Sequence, residues 1–177
     1  MEEEGIRVSK NNTTILLSLD TSTKDTGIGI FENGKFSRSQ VIDVSKVKDS
    51  TIRMNEMISS LYHLFDELKP AIIVAELTSV MRNPDTQRKL TMILGAIMGK
   101  CIDMKCPYYF YRPSEWRSII KDEGEKLPRK REELKRWAID KCHKLGYENV
   151  IDDNEAEAIL IGYAYIKQMS EMAEMEE

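Results

Sequence analysis

The sequence predicts an α/β domain: a mixed five-stranded sheet, three antiparallel strands first and then parallel ones, with helices on both faces. Three observations predict it. An Asn-Gly hairpin signal joins two strand-like segments near the start of the chain. Short apolar runs rich in branched residues then alternate with longer stretches of helical periodicity. Two of the short runs end in an acid, Asp20 and Glu76, where a buried strand would surface.

The elements follow in order. Residues 1–12 read as a flexible polar tail. Thr14–Asp20 (TILLSLD) and Thr26–Phe31 (TGIGIF) read as strands, and Phe36–Val44 returns as a third after the turn Glu32-Asn33-Gly34-Lys35. Over Lys48–Leu68, Ile52, Met57, Ile58, Leu61, Leu64 and Phe65 form one helical stripe, and Pro70 stops it. Ala71–Glu76 (AIIVAE) is a fourth strand, Asp85–Met104 a second helix and Tyr108–Tyr111 a fifth strand. Pro113–Ile120 reads as a short helix opened by its proline. A polar loop, Lys121–Pro128, leads into a helix over Arg129–Leu145 that ends at Gly146. The last helix runs from Asp152 to about Met169, and an acidic tail covers 170–177. Residues 13–169 are thus expected to form a single domain, its later strands joined by right-handed crossovers.

Composition narrows the function. The chain has 177 residues, 41% of them apolar, which excludes disorder of the whole. No apolar run approaches the ~18 residues of a membrane span, so no membrane role is expected. Three cysteines without a CxxC pair point to a reducing compartment and away from a zinc knuckle. Two histidines make a His-rich metal site improbable. Net charge is −4, which disfavours indiscriminate nucleic-acid binding, so the placement of charge matters more than its sum.

Acids are where placement tells most. If the first and fourth strands are parallel neighbours, Asp20 and Glu76 emerge together at the carboxyl edge of the sheet, where α/β folds bind ligands. Taken singly, an Asp after a strand is usually a turn residue, and acids opening a helix usually complement its dipole. Glu76 is the more telling, because Glu is depleted in strands and burying it is unfavourable unless it is paired. The segment Asp152-Asp153-Asn154-Glu155-Ala156-Glu157 opens the last helix, where Asp153 and Glu157, four apart, share a face. A second register pairs Asp152 with Glu155 instead. Carboxylates ~4 Å apart repel by about 4 kcal/mol at intermediate dielectric, so such a cluster requires cations. An all-oxygen donor set selects Mg²⁺, with Mn²⁺ able to substitute. Two such ions ~3.5–4 Å apart suit in-line attack of water on a phosphodiester.

The run Leu19–Gly29 resembles the opening motif of the RuvC family of Holliday junction resolvases, within the RNase H-like superfamily. That motif is an Asp followed after a fixed gap by Thr-Gly-x-Gly, here Asp20, Thr26, Gly27 and Gly29. Glu76, Asn83, Leu90 and Gly95 match the family at its spacing, as does the acidic helix opening followed by Ala158-Ile159-Leu160. PSEWRSII (Pro113–Ile120) and KREELK (Lys130–Lys135) are similar to its phage-type branch. The resemblance runs from Ile15 to Ala164. Two positions depart from it: Ser22 stands where the family usually has Gly, and Asn154 stands three residues before Glu157 where it usually has an acid or His.

The resemblance implies an RNase H-like nuclease that resolves four-way DNA junctions by paired symmetric nicks, with Asp20, Glu76, Asp153 and Glu157 holding two Mg²⁺ ions. It also implies a homodimer formed through the helix at 85–104, and a place in the cytoplasm of a bacterial or phage-infected cell. For holding DNA, the candidates are Lys126, Arg129, Lys130, Arg131 and Lys135, together with Arg117. Lys130, Arg131 or Lys135 would steady charge on the cleaved phosphate. Trp116 is expected to be a core or hinge anchor. The rival readings are another RNase H-like nuclease with a different substrate, a non-catalytic DNA-binding relative, and an actin-like or sugar-kinase ATPase, which would need a second domain.

Overall fold

The structure is a computed structural model that describes residues 13–77 and 83–176. The predicted N-terminal tail lies outside those residues. Five strands form one sheet in the order β3-β2-β1-β4-β5. β1 (Ile15–Asp20), β2 (Asp25–Glu32) and β3 (Lys35–Asp43) are an antiparallel meander. Asn33 and Gly34 turn β2 into β3 with φ of 53° and 75°, the left-handed pair that a tight hairpin demands. β4 (Ile72–Glu76) lies parallel to β1, and β5 (Tyr108–Tyr111) parallel to β4.

The helices begin where their caps allow. α1 (Ser50–Leu68) is capped by Asp49, whose carboxylate accepts from the Thr51 and Ile52 amides. α2 (Pro84–Asp103) is capped in the same way by Asn83. α3 (Pro113–Ile120) carries its proline in the first turn. α4 (Arg131–Lys144) starts two residues later than the charge pattern suggests, with Lys130 as its cap. α5 runs from Asp153 to Glu176, so the tail predicted at 170–177 is helical through 176. That stretch has no Gly or Pro, and its Met, Ala and Glu residues are good helix formers. No helix among the described residues is long and apolar enough to cross a membrane.

Alternation along the strands splits the core between the two faces. On one face Leu17, Leu19, Ile28, Ile30, Ile73 and Ala75 pack with Met57, Leu61 and Phe65 of α1 and Ile93 and Ile97 of α2. On the other, Leu16, Phe31, Val74 and Tyr111 pack with Trp116 of α3, Trp137 of α4, and Ile159 and Leu160 of α5.

α5 lies unusually close to β1 and β2 because glycines clear its path. A Cβ on Gly27 would stand 2.0 Å from the Asn154 carbonyl oxygen, and one on Gly162 would stand 2.3 Å from the Phe31 ring. The Thr-Gly-x-Gly segment therefore acts here by steric clearance. It lets the N-terminus of α5 settle against the strand beside Asp20.

Candidate active site

Strand register brings the first two acids together. Leu19 pairs with Ala75 across β1 and β4, so Asp20 and Glu76 occupy the next rung on the same face. The Thr21 hydroxyl donates to the Glu76 carbonyl oxygen at 3.4 Å and ties the two strand ends. Beyond Asp20, the buried Thr26 hydroxyl accepts from the Ser22 amide at 3.1 Å and donates to the Ser22 carbonyl at 3.3 Å. The Ser22 hydroxyl, absent from a glycine, donates to Asp25 Oδ1 at 3.1 Å. Asp25 in turn accepts from Asn154 Nδ2 at 3.3 Å, which joins this loop to the start of α5. Asn154 thus serves as a strut where the resemblance leads one to expect an acid.

The two registers considered for α5 separate in space. Asp152 Oδ1 accepts from the Asn154 and Glu155 amides at 2.9 and 3.1 Å, which makes it the helix cap. Asp153 and Glu157, together with Asp20, Glu76 and the Asp152 cap, line one cavity of about 740 Å³. Glu155 is not part of that lining.

The acids feel one another strongly. Burial first, then the charges of Glu157 and Glu76, hold the Asp20 carboxyl well above the usual carboxylate range; Asp153 adds to this and Arg117 opposes it. Glu76 is pushed up to about 7, chiefly by burial, against the lowering effect of a Trp116 indole N–H that donates to it at 2.6 Å. Side chains from β1, β4 and α5, far apart in sequence, therefore share one electrostatic environment.

The protein's own cations sit among these acids. Arg117 Nη2 lies 2.9 Å from Glu157 Oε1 and 3.8 Å from Glu76 Oε2. Its guanidinium lies over the Trp116 ring, 4.6 Å from the centroid. Lys135 Nζ lies 2.8 Å from Asp153 Oδ2. Among the described residues, no group of three or more His, Cys, Asp or Glu side chains is arranged to hold a metal ion as it stands. Glu76 and Glu157 are instead turned onto Arg117, and Asp153 onto Lys135. Chemically the set still suits a hard divalent cation, because its donors are all oxygen and burial and mutual repulsion leave it in need of positive charge.

No family model matches the chain. Among curated proteins, the crossover junction endodeoxyribonuclease RuvC of Hydrogenovibrio crunogenus is 28% identical over 113 residues, which cover 62% of this chain and 65% of that protein. RuvC of Chlorobium phaeovibrioides is 27% identical over 115 residues, covering 62% and 61%. The chain thus matches less than two thirds of the length of these two relatives. Among solved structures, Thermus thermophilus RuvC in complex with a Holliday junction substrate superposes with a TM-score of 0.67 at 13% identity, over 89% of this chain and 96% of that one. The yeast mitochondrial Holliday junction resolvase gives 0.63 at 14% identity, over 92% and 81%. The chain is similar to RuvC in sequence and shares its fold.

On this RuvC-like scaffold, the sequence-predicted basic residues divide into two groups. Lys126, Arg129, Lys130 and Arg131 are exposed, and Arg131 and Lys135 reach the lining of the cavity. The loop that carries Lys126 is pinned from beneath. Lys141, only 5% exposed, donates to Asp122 Oδ1 at 2.6 Å, and the Trp137 indole donates to Glu125 Oε1 at 2.8 Å. Arg117 lines the same cavity. Its side chain is 15% exposed and engaged with Glu157 and Glu76.

Trp116 is a core anchor, as expected, but its bond to Glu76 was not foreseen from the sequence. The available signal was the pair Trp-Arg on the short helix that follows a strand whose last residue, Tyr111, lies beside Glu76.

Proposed function

We propose that this chain is a metal-dependent, structure-selective endodeoxyribonuclease that resolves four-way DNA junctions by paired symmetric nicks. The observation that carries this reading is the convergence of Asp20, Glu76, Asp153 and Glu157 on one cavity from β1, β4 and α5. Named crossover junction endodeoxyribonucleases among the relatives, and resolvases among the structural neighbours, support it.

These carboxylates would hold Mg²⁺ or Mn²⁺, two ions per site. Bound there, such ions would acidify an attacking water and stabilise the leaving oxygen. The chain's own residues do the positioning. Gly27 lets α5 approach, Thr26 and Ser22 shape the loop after Asp20, and Trp116 orients Glu76. Arg131 and Lys135 stand beside the cavity, where a scissile phosphate would meet them, and Lys126, Arg129 and Lys130 extend positive charge along the adjoining surface.

A junction has two strands to cut, which calls for two sites related by a two-fold axis. The outer face of α2 supports a homodimer. Met92 and Ile102 are 57% and 63% exposed, and Gly95 and Gly99 between them face open space. Three free, buried cysteines suit the reducing cytoplasm.

The test is cleavage of a four-way junction labelled in turn on each strand, with Mg²⁺ or Mn²⁺. Symmetric nicks in opposite strands are expected. Asp20→Asn is expected to retain junction binding and lose about 10³-fold in rate, several kcal/mol of metal-derived stabilisation. Equal cutting of linear duplex or an RNA–DNA hybrid would reassign the substrate, and an inert wild-type protein would overturn the reading.

A further inference from the structure

The geometry points to Arg117 as a built-in counter-ion that holds Glu76 and Glu157 together and competes with a divalent cation for the same carboxylate oxygens. This inference rests on the nuclease reading above and deepens it. An arginine stays protonated under all working conditions, so it is a permanent positive charge among the acids. Its Nη2 lies 2.9 Å from Glu157 Oε1 and 3.8 Å from Glu76 Oε2, between acids contributed by α5 and β4. Those are the carboxylates that would have to turn inward onto a metal.

How the arginine is held matters as much as where it lies. Its guanidinium rests on the Trp116 ring, and the same Trp116 donates to Glu76 Oε2 at 2.6 Å. Trp116 and Arg117 therefore grip one carboxylate from adjacent positions on α3. Yet Arg117 Nε is buried with no hydrogen-bond partner. Buried donors are nearly always paired, so this one leaves the arginine's setting incompletely satisfied. Arg117 also lines the open cavity, which gives its long side chain a path along which to withdraw. Arg117 is thus a positioning residue: it keeps repelling acids assembled, and its departure sets how tightly a metal binds.

The experiment is Mn²⁺ titration of the full chain by calorimetry, comparing wild type with Arg117→Met and Arg117→Gln, and with Asp20→Asn as control. Removing the competitor is expected to lower the Mn²⁺ midpoint about tenfold, within the usual range of coupling between two sites. The same variants are expected to melt at lower temperature in EDTA and to gain more on adding Mn²⁺. A merely structural arginine would not tighten metal binding when removed. In the wild-type protein, the Arg117 Nε–H resonance is expected to move on Mg²⁺ saturation, a measurement that stands even if both variants fail to fold. Unchanged or weaker Mn²⁺ binding in the variants, or an immobile Arg117 resonance, overturns the inference while leaving the nuclease reading intact, provided that wild type binds and Asp20→Asn does not. Absence of Mn²⁺ binding in wild type overturns both.

Discussion

The two faces of the sheet use the same strands for different ends. Toward α1 and α2, β1, β2 and β4 present Leu17, Leu19, Ile28, Ile30, Ile73 and Ala75, all fully buried. Toward α5, the interleaved positions join Leu16, Phe31 and Val74 with Ser18, Asp20, Gly27, Gly29 and Glu76. Both faces bury hydrocarbon, the first at every one of its positions. The other gives up side-chain volume so that a helix can come close, and it carries charge at its edge. The comparison shows how a small domain accommodates an acidic site: the glycines and acids occupy one end of a face whose remaining positions are packed with apolar side chains.

Mutations on the two faces should therefore dissociate. The largest stability loss is expected from Leu61→Ala, beneath the apolar face, at about 2–5 kcal/mol. Cleavage per folded molecule should stay near wild type, as read by calorimetry beside a junction assay at low temperature. Gly27→Ala should cost less stability, about 1–3 kcal/mol of overpacking, yet depress cleavage strongly. Its Cβ would displace Asn154, and with it the helix that carries Asp153 and Glu157. If the two variants lost activity in proportion to stability, the distinction between the faces would fail.

A third variant reverses the sign. Glu76 ionises near pH 7 in the folded protein, against 4.5 for an ordinary glutamate. The folded chain thus binds this proton more tightly than the unfolded chain does. Stability carries no penalty from Glu76 below its ordinary value, falls as pH rises through about 7, and levels off above that. Glu76→Gln should accordingly raise the melting temperature at pH 8 in EDTA and leave it unchanged at pH 4. The gain should be a few degrees, at about 2–4 °C per kcal/mol for a chain of this size. Activity should be lost in the same variant. The smallest effects belong to the exposed basic surface. Lys126→Gln and Arg129→Gln should each reduce the salt dependence of junction binding by about one in the log–log slope, without altering the melting temperature.

Legibility in the sequence followed the range of the interactions. The Asn33-Gly34 turn, the strand alternation and the Pro113 helix start depend on neighbours within a few residues, and all were readable. Asp20 and Glu76 stood out because each ends an apolar run. The preference for Asp153–Glu157 over Asp152–Glu155 rests on the resemblance; the structure adds that Asp152 Oδ1 caps α5 and that Glu155 lies outside the cavity lining. α5 continues past Met169 because its Met, Ala and Glu residues favour helix, where acidity alone suggests a tail. The sequence offers Arg117 only as a DNA contact and not its ion pairs, because Glu76 and Glu157 are each about forty positions away.

By itself, the sequence determined the order of the elements, the apolar side of each and the strand ends at which acids surface. Those properties follow from local dihedral preferences and from periodicities of two and 3.6 residues. Only the tertiary structure decided which acids meet, which cations lie between them and how far burial raises their proton affinity. Charge interactions depend on distance and on the surrounding dielectric, and both are set by docking α3 and α5 against β1 and β4.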